Sequence, residues 1–319
     1  MHEQRLAMNE ALLHKLERRL GRLQAAQRLG IETDHEAQIF GQGVNFFHLE
    51  NWCSMHSVIR TTLKLTGLYR RGCKNAERVQ VKHNKIGMKT LPSRFDGFTL
   101  LQISDLHVDM NEGAMRRLAE LLPDLSCDVC VLTGDYRAAT FGPFDDALEG
   151  VARIRSRLKA PVYGVLGNHD TIRMVPGLEE MGIRVLLNEC EAISRGTQEI
   201  YLAGIDDAHF YRVDNIEKAA SKIPHDKFSI LLSHTPEIYR QAADGGFDLL
   251  LSGHTHGGQI CLPGCIPITL SSVLPRRMGS GAWTYNGMTG YTSVGVGSSV
   301  VAVRINCLPE ITLHHLHCI

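Results

Sequence analysis

No apolar stretch of this 319-residue chain approaches the ~20 residues needed to cross a bilayer, so a spanning helix is not expected. There is no net charge either: 34 Lys and Arg balance 34 Asp and Glu. The nine cysteines are odd in number and irregularly spaced, which does not suggest a disulfide framework and fits a reducing cytoplasm. Residues 1–22 are too charged for a secretory signal. Internal repeats and low-complexity runs are missing. Gly295-Val-Gly297 lacks the strand-to-helix setting of a phosphate loop and reads as a tight turn. Ser233 has no nucleophile motif around it. What remains is an ordinary globular composition, 44% hydrophobic and 21% charged, long enough for one large domain or two small ones.

Five short clusters of metal-binding side chains stand out against this background. They are Asp105-Leu106-His107, Gly134-Asp135, Gly167-Asn168-His169-Asp170, His234, and Gly253-His254-Thr255-His256. Most follow an apolar, β-prone run: Thr99 to Ile103, Val129 to Thr133, Val162 to Leu166, Ile230 to Ser233 and Leu249 to Ser252. Ligands at strand ends converge on one edge of an α/β sheet. The set holds oxygen and imidazole but no thiolate, which favours Mn²⁺, Fe or Zn²⁺ over a Cys-type structural zinc. Two Asp, one Asn and four His exceed the needs of one tetrahedral ion, so two divalent metals are expected.

In these blocks the chain resembles the calcineurin-like metallophosphoesterases, from about Phe98 to His317. Gly253-His-Thr-His-Gly-Gly-Gln-Ile260 and Arg304-Ile-Asn-Cys-Leu-Pro-Glu-Ile-Thr312 resemble the YkuE/YaeI-type branch. That branch has membrane-associated members and includes a UDP-2,3-diacylglucosamine pyrophosphatase of lipid A synthesis. The resemblance implies an α/β fold of two packed mixed sheets flanked by helices. It also implies that Asp105, His107 and His256 hold one ion, that Asn168, His234 and His254 hold the other, and that Asp135 bridges them. His169 would act on the reacting phosphate, since imidazole exchanges protons near neutral pH. Many relatives carry a second acid shortly after the Gly-Asp pair. Here Gly134-Asp-Tyr-Arg-Ala138 has none, and Asp170 is the remaining candidate for a supporting role.

The N-terminal quarter reads separately, as a helical region over 1–76 preceding a catalytic domain over 77–319. Residues 1–95 carry 16 basic against 8 acidic side chains, a polarity that suits an anionic partner. The acidic excess elsewhere gives no support for nucleic acid. Leu6, Leu13, Leu16, Leu20 and Leu23 predict a helix over Arg5 to Leu29, stopped by Gly30. It packs on the catalytic domain or a second copy, lies on a membrane surface, or forms a short coiled coil. A second amphipathic stretch, Phe46 to Tyr69, aligns Leu49, Trp52, His56, Ile59 and Leu63, with Arg60, Lys64, Arg70, Arg71 and Lys74 close behind. It reads as a helix in an anionic headgroup layer or as a cover for the sheet edge.

Further strands are expected at Glu77 to Val81, Gly290 to Gly295 and Ile311 to His317, with helices near 112–122, 144–158, 178–181, 215–222 and 236–243. His314, His315 and His317 alternate along the last strand and read as a solvated edge. Cys127 and Cys130 read as core packing, and Asp206 and Asp207 as a capped turn. Together these readings point to a metal-dependent phosphohydrolase in the cytoplasm, peripheral on the inner membrane face. It would cleave the pyrophosphate of a UDP-2,3-diacylglucosamine-like substrate. The rivals are a phosphatase or phosphodiesterase on soluble esters, and a non-catalytic scaffold that keeps the fold.

Overall fold

Val129–Thr133 is buried at every residue, as a strand covered on both faces must be. In the computed structural model, which describes residues 14–40 and 47–319, this strand is β3 of a six-stranded sheet. Across that sheet lie β1 (Gln80–Met88), β14 (Glu310–Cys318), β2 (Thr99–Ile103), β3, β4 (Val162–Val165) and β5 (Ile183–Val185). From β2 to β5 the strands are parallel. Their crossovers carry α4 (Glu112–Leu121), α5 (Asp145–Arg155) and α6 (Val175–Glu180), the last joining β4 to β5. The α4 N-terminus is capped by Asn111, whose side chain accepts from Ala114 N.

A second six-stranded sheet runs β12 (Gly281–Tyr285), β13 (Met288–Thr292), β9 (Leu249–Ser252), β8 (Ser229–Leu232), β7 (Gln198–Gly204) and β6 (Glu189–Arg195). β13, β9, β8 and β7 are parallel, and both edge strands are antiparallel to their neighbours. The inner faces of the two sheets share one apolar layer that includes Phe95, Leu100, Val131, Val165, Leu202, Ile230 and Leu251. The expected pair of packed mixed sheets flanked by helices is therefore present. A small hairpin, β10 (Cys261–Leu262) with β11 (Ile266–Pro267), stands apart from both.

β14 is not a solvated edge. It lies between β1 and β2, so His314 is fully buried and bonds to Gln102 Oε1 at 2.9 Å. Burial drives the His314 imidazole down to about 3. The expectation failed because β1, which ends at Met88, seven positions beyond the predicted end at Val81, pairs along its outer side.

The N-terminal helix also departs from expectation. Residues 14–20 are helical, Gly21 breaks the run at φ +88°, and α1 (Arg22–Phe40) continues well past Gly30. Leu6 and Leu13 lie outside the described residues. Leu16, Leu20 and Ala25 join the core beneath Leu101 and Leu118, whereas Leu23 is exposed. Gly30 stays helical because its flanks are tied down: Arg28 and Glu32 are buried against the loop after β4. Tertiary anchoring outweighs the ~1 kcal/mol that glycine costs within a helix. Part of the N-terminal basic surplus is neutralised internally, Arg19 by Glu179 and Glu189 and Arg28 by Glu32 and Asp206.

The second stretch forms α2 (Phe47–Leu65) and α3 (Tyr69–Ala76). Leu63 is buried with Val301, Val303 and Ile305, and Ile59 packs against the same cluster. Those two side chains therefore cover the protein and do not enter a headgroup layer. The side chains of Leu49 and Trp52 lie outside the described part. Arg60, Lys64, Arg70, Arg71 and Lys74 are exposed and form no ion pair among the described residues.

Candidate metal centre

Five strands end on the same edge of the molecule, and the chain turns sharply off them. Asp105 and His107 follow β2, Asp135 follows β3, Asn168 and His169 follow β4, His234 follows β8, and His254 and His256 follow β9. Five of these residues sit in the left-handed region: Asp105 at φ 50°, His107 at 39°, Asp135 at 56°, His254 at 70° and His256 at 49°. Such backbone costs about 1–3 kcal/mol per residue and persists where the surroundings impose it. Two glycines make the approach of the loops feasible. A Cβ at Gly167 would strike the Asp135 carboxylate, and one at Gly253 would strike Ser104 and Asp105.

The side chains gather into two groups. Asp105, His107 and His256 form one, and Asp135, His234 and His254 the other, each with ligand atoms within 4.8 Å of one another. Asn168 Oδ1 joins the second group, 3.0 Å from His234 Nε2. Asp135 spans the groups: its Oδ2 lies 3.6 Å from His107 Nε2 and 3.3 Å from His234 Nε2. The nitrogens of His107 and His256 face one another at 3.3 Å, and those of His234 and His254 at 3.2 Å. Lone pairs that close repel unless a proton or cation stands between them. Atoms bound ~2.1 Å from a common ion lie ~3.0–3.4 Å apart, so this donor set fits divalent metals.

Outer contacts aim the rings. His107 Nδ1 bonds to Arg137 O at 2.8 Å and His234 Nδ1 to Thr133 O at 2.8 Å, so each turns Nε2 inward. His254 Nε2 bonds to Ser271 O at 3.1 Å and turns Nδ1 inward. Fixing one ring nitrogen in this way sets which one is free to ligate. Burial lowers His107 to about 4 and His254 to about 3, and holds His256 well below its ordinary value. All three stay neutral, the form a metal requires. Burial raises Asp105 to about 6, with Asp135 adding to the rise. At Asp135 burial opposes ionisation, but the imidazoles of His234 and His169 outweigh it and hold the carboxyl well below the usual range. Burial also opposes a charge on His234, yet Asp135 and Asp105 lift it to about 10. The two buried acids thus demand positive charge at their centre.

His169 is turned differently. Its Nδ1 lies 3.0 Å from the Thr140 hydroxyl, its carbonyl accepts from Arg137 Nε at 2.7 Å, and its Nε2 is 3.9 Å from Asp135 Oδ2. A threonine hydroxyl, not an acid, therefore partners the His169 ring here. A lone threonine six residues after Gly134 carries no sequence signal. Thr140→Val should lower turnover about 10-fold with metal content intact, and Thr140→Ser should restore it; steady-state kinetics beside metal analysis decides.

Asp170 bonds to three backbone N–H groups at 2.8 Å, those of Asp135, Tyr136 and Gly167, and so ties the β3 loop to the β4 loop. Burial pushes it up to about 6. Arg28 was not anticipated: fully buried, it stacks on Tyr211 at 3.5 Å and donates to Asp170 O at 3.0 Å. Arg28→Ala would strand Glu32 and Asp206, so a loss of about 3–5 kcal/mol is expected in urea unfolding. Arg304 was also missed. Buried and ringed by carbonyls, it donates to Val294 O at 2.7 Å and reaches His256 Nδ1 at 3.3 Å. The turn it grips donates from Gly297 N to Asp105 O at 2.7 Å, which agrees with a tight turn near the site.

The remaining candidates are structural. Ser233 Oγ is buried and donates to Thr235 O. Asp207 caps the N–H groups of His209, Phe210 and Tyr211. Cys130 lies in the core, with its thiol pushed well up by burial, and both Cys127 and Cys130 are free thiols.

Comparison with known proteins agrees with this geometry. The sequence profile of the calcineurin-like phosphoesterase family matches residues 98–258. The uncharacterized metallophosphoesterase YkoQ of Bacillus subtilis is 31% identical over 260 residues, covering 76% of this chain and 92% of that protein. Phosphodiesterase YaeI of Escherichia coli is 28% identical over 236 residues, 69% of this chain and 82% of that protein. A transmembrane protein with metallophosphoesterase domain from Danio rerio is 31% identical over 247 residues, 72% of this chain but 55% of that protein.

Proposed function

Because the chain belongs to the calcineurin-like phosphoesterase family of metal-dependent phosphoester hydrolases, we propose that two divalent ions serve its site. Mn²⁺ is the first choice, with Fe or Zn²⁺ as alternatives. Asp105, His107 and His256 hold the first ion, and Asn168, His234 and His254 hold the second. The observation that carries this reading is the position of Asp135 Oδ2 within 3.6 Å of both groups. When bound, a metal pair acidifies water and neutralises charge developing on phosphoryl oxygens. The protein's own part is to orient and to move a proton. Asp170 fixes the Asp135 loop, and Thr140 bonds Nδ1 of His169. Nε2 of His169 then faces the reacting phosphate and delivers a proton to the departing oxygen as a water oxygen bonds to phosphorus and the P–O bond to the leaving group breaks.

For the substrate we favour a nucleotide-linked acylated sugar resembling UDP-2,3-diacylglucosamine, cleaved at its pyrophosphate into UMP and a lipid phosphate at the cytoplasmic membrane face. The exposed basic residues of α2 and α3 support this reading, as does a relative named as a transmembrane protein. No helix among the described residues is long and apolar enough to cross a membrane. A soluble phosphoester is the enzymatic alternative. A non-catalytic scaffold is disfavoured, since such proteins shed ligands and this chain keeps all seven together with His169. Purified protein with Mn²⁺ should hydrolyse UDP-2,3-diacylglucosamine faster than generic phosphodiesters. Equal or slower lipid turnover would transfer the assignment to soluble esters.

A further inference from the structure

Four of the nine large hydrophobic side chains exposed among the described residues fall within twelve positions of one segment. Leu262, Ile266 and Ile268 are half exposed, and Val273 is 91% exposed. They crown the β10–β11 hairpin and the loop after it, which leans on the metal centre. Ser271 O takes the bond from His254 Nε2 at 3.1 Å. Val273 N donates to Glu237 Oε1 at 2.8 Å, and the other oxygen of Glu237 bonds to His209, which packs on His254. Water-facing apolar groups at this density mark an interaction surface.

Charge says what covers it. No acidic residue occurs between Asp248 and Glu310, and exposed Arg276 and Arg277 close the segment. The hairpin is also continuous with the basic helix α3. Asn306 donates to Cys261 O at 2.9 Å and accepts from Arg71 at 3.4 Å, with Arg70 and Lys74 exposed nearby. An apolar tip flanked by cations complements an anionic lipid surface, acyl chains for the tip and phosphates for the flanks.

We infer that residues 262–277 form a lipid-docking rim that seats the metal centre on an anionic bilayer, with α3 supplying a flanking basic contact. This rests on the membrane-face reading above and revises it. Insertion is assigned to Leu262, Ile266, Ile268 and Val273, because Ile59 and Leu63 are engaged within the protein.

The test uses the full chain loaded with Mn²⁺, vesicles of phosphatidylcholine and phosphatidylglycerol, and bis(p-nitrophenyl) phosphate as a soluble ester. Changing Leu262, Ile266, Ile268 and Val273 together to Ser should weaken vesicle binding on the order of a hundredfold. Hydrolysis of the soluble ester should stay within about twofold, because these side chains face water and belong to neither ligand group, and the loop reaches the centre through backbone atoms that the substitutions keep. Val273→Glu, at a water-facing position that folding does not use, should weaken binding in the same direction. Arg276→Gln with Arg277→Gln should weaken binding about tenfold or more at low salt, with the difference shrinking as salt rises. Wild-type protein that ignores vesicles, or a fourfold variant that binds them as tightly, overturns the proposal. A wild-type dimer dissolved by the same substitutions also overturns it, by reassigning the patch to a second copy. Failure of the hydrolase reading would appear separately, as no metal-dependent turnover of the soluble ester, while vesicle binding still decides the rim.

Discussion

Asp135→Ala should lose metal and at least about three orders of magnitude in turnover. Asp135 reaches both ligand groups, so alanine leaves Asp105 as the one carboxylate among the described ligand set. A pair of dications then lacks the anion between them that offsets their repulsion. The fold should survive, because Asp170 still bonds to the backbone N–H groups of residues 135 and 136. His169 N does lose its acceptor, the Asp135 carboxylate at 3.0 Å. Metal content by mass spectrometry, read beside thermal unfolding, separates site loss from misfolding. A folded variant with two ions per chain and near-native turnover would defeat the dinuclear assignment.

His169→Ala should behave differently, with turnover down by about 10²–10⁴-fold and both ions retained. His169 belongs to neither ligand group and has its Nδ1 engaged by Thr140. Its loss removes a proton donor without opening either group. Substrates with a good leaving group such as p-nitrophenolate should suffer less than alkyl esters, since their departing oxygen needs less protonation. Metal analysis showing one ion missing would make His169 a ligand and remove it from the acid role.

Much of this site was legible because metal chemistry constrains residue types in short, local patterns. Asp105-Leu-His107 and Gly253-His-Thr-His256 read plainly at strand ends, and a parallel sheet carries its strand ends to one edge. The supporting residues were opaque for the opposite reason. Thr140, Arg28 and Arg304 act across gaps of 29, 142 and 48 residues, and even the block that begins at Arg304 does not say which loop its guanidinium grips. His314 was misread because alternation marks a strand but not its neighbours, and only pairing with β1 made it interior. Gly30 was misread because propensity is a weak prior beside buried anchors on both flanks.

By itself the sequence determined the α/β class, the two-sheet plan, the order of strands and ligands, and the demand for divalent metal. The order of strands and ligands and the donor set follow from hydrophobic periodicity and donor chemistry, which act over a few residues, whereas the two-sheet plan was implied by the family resemblance of the motifs. Tertiary structure alone decided that a threonine bonds the His169 ring. It also decided that the first helices buttress the loop after β4, and that Ile59 and Leu63 face protein while Leu262, Ile266, Ile268 and Val273 face water. An amphipathic stripe declares that it must be covered. What covers it is settled only by which surfaces the folded chain brings within reach.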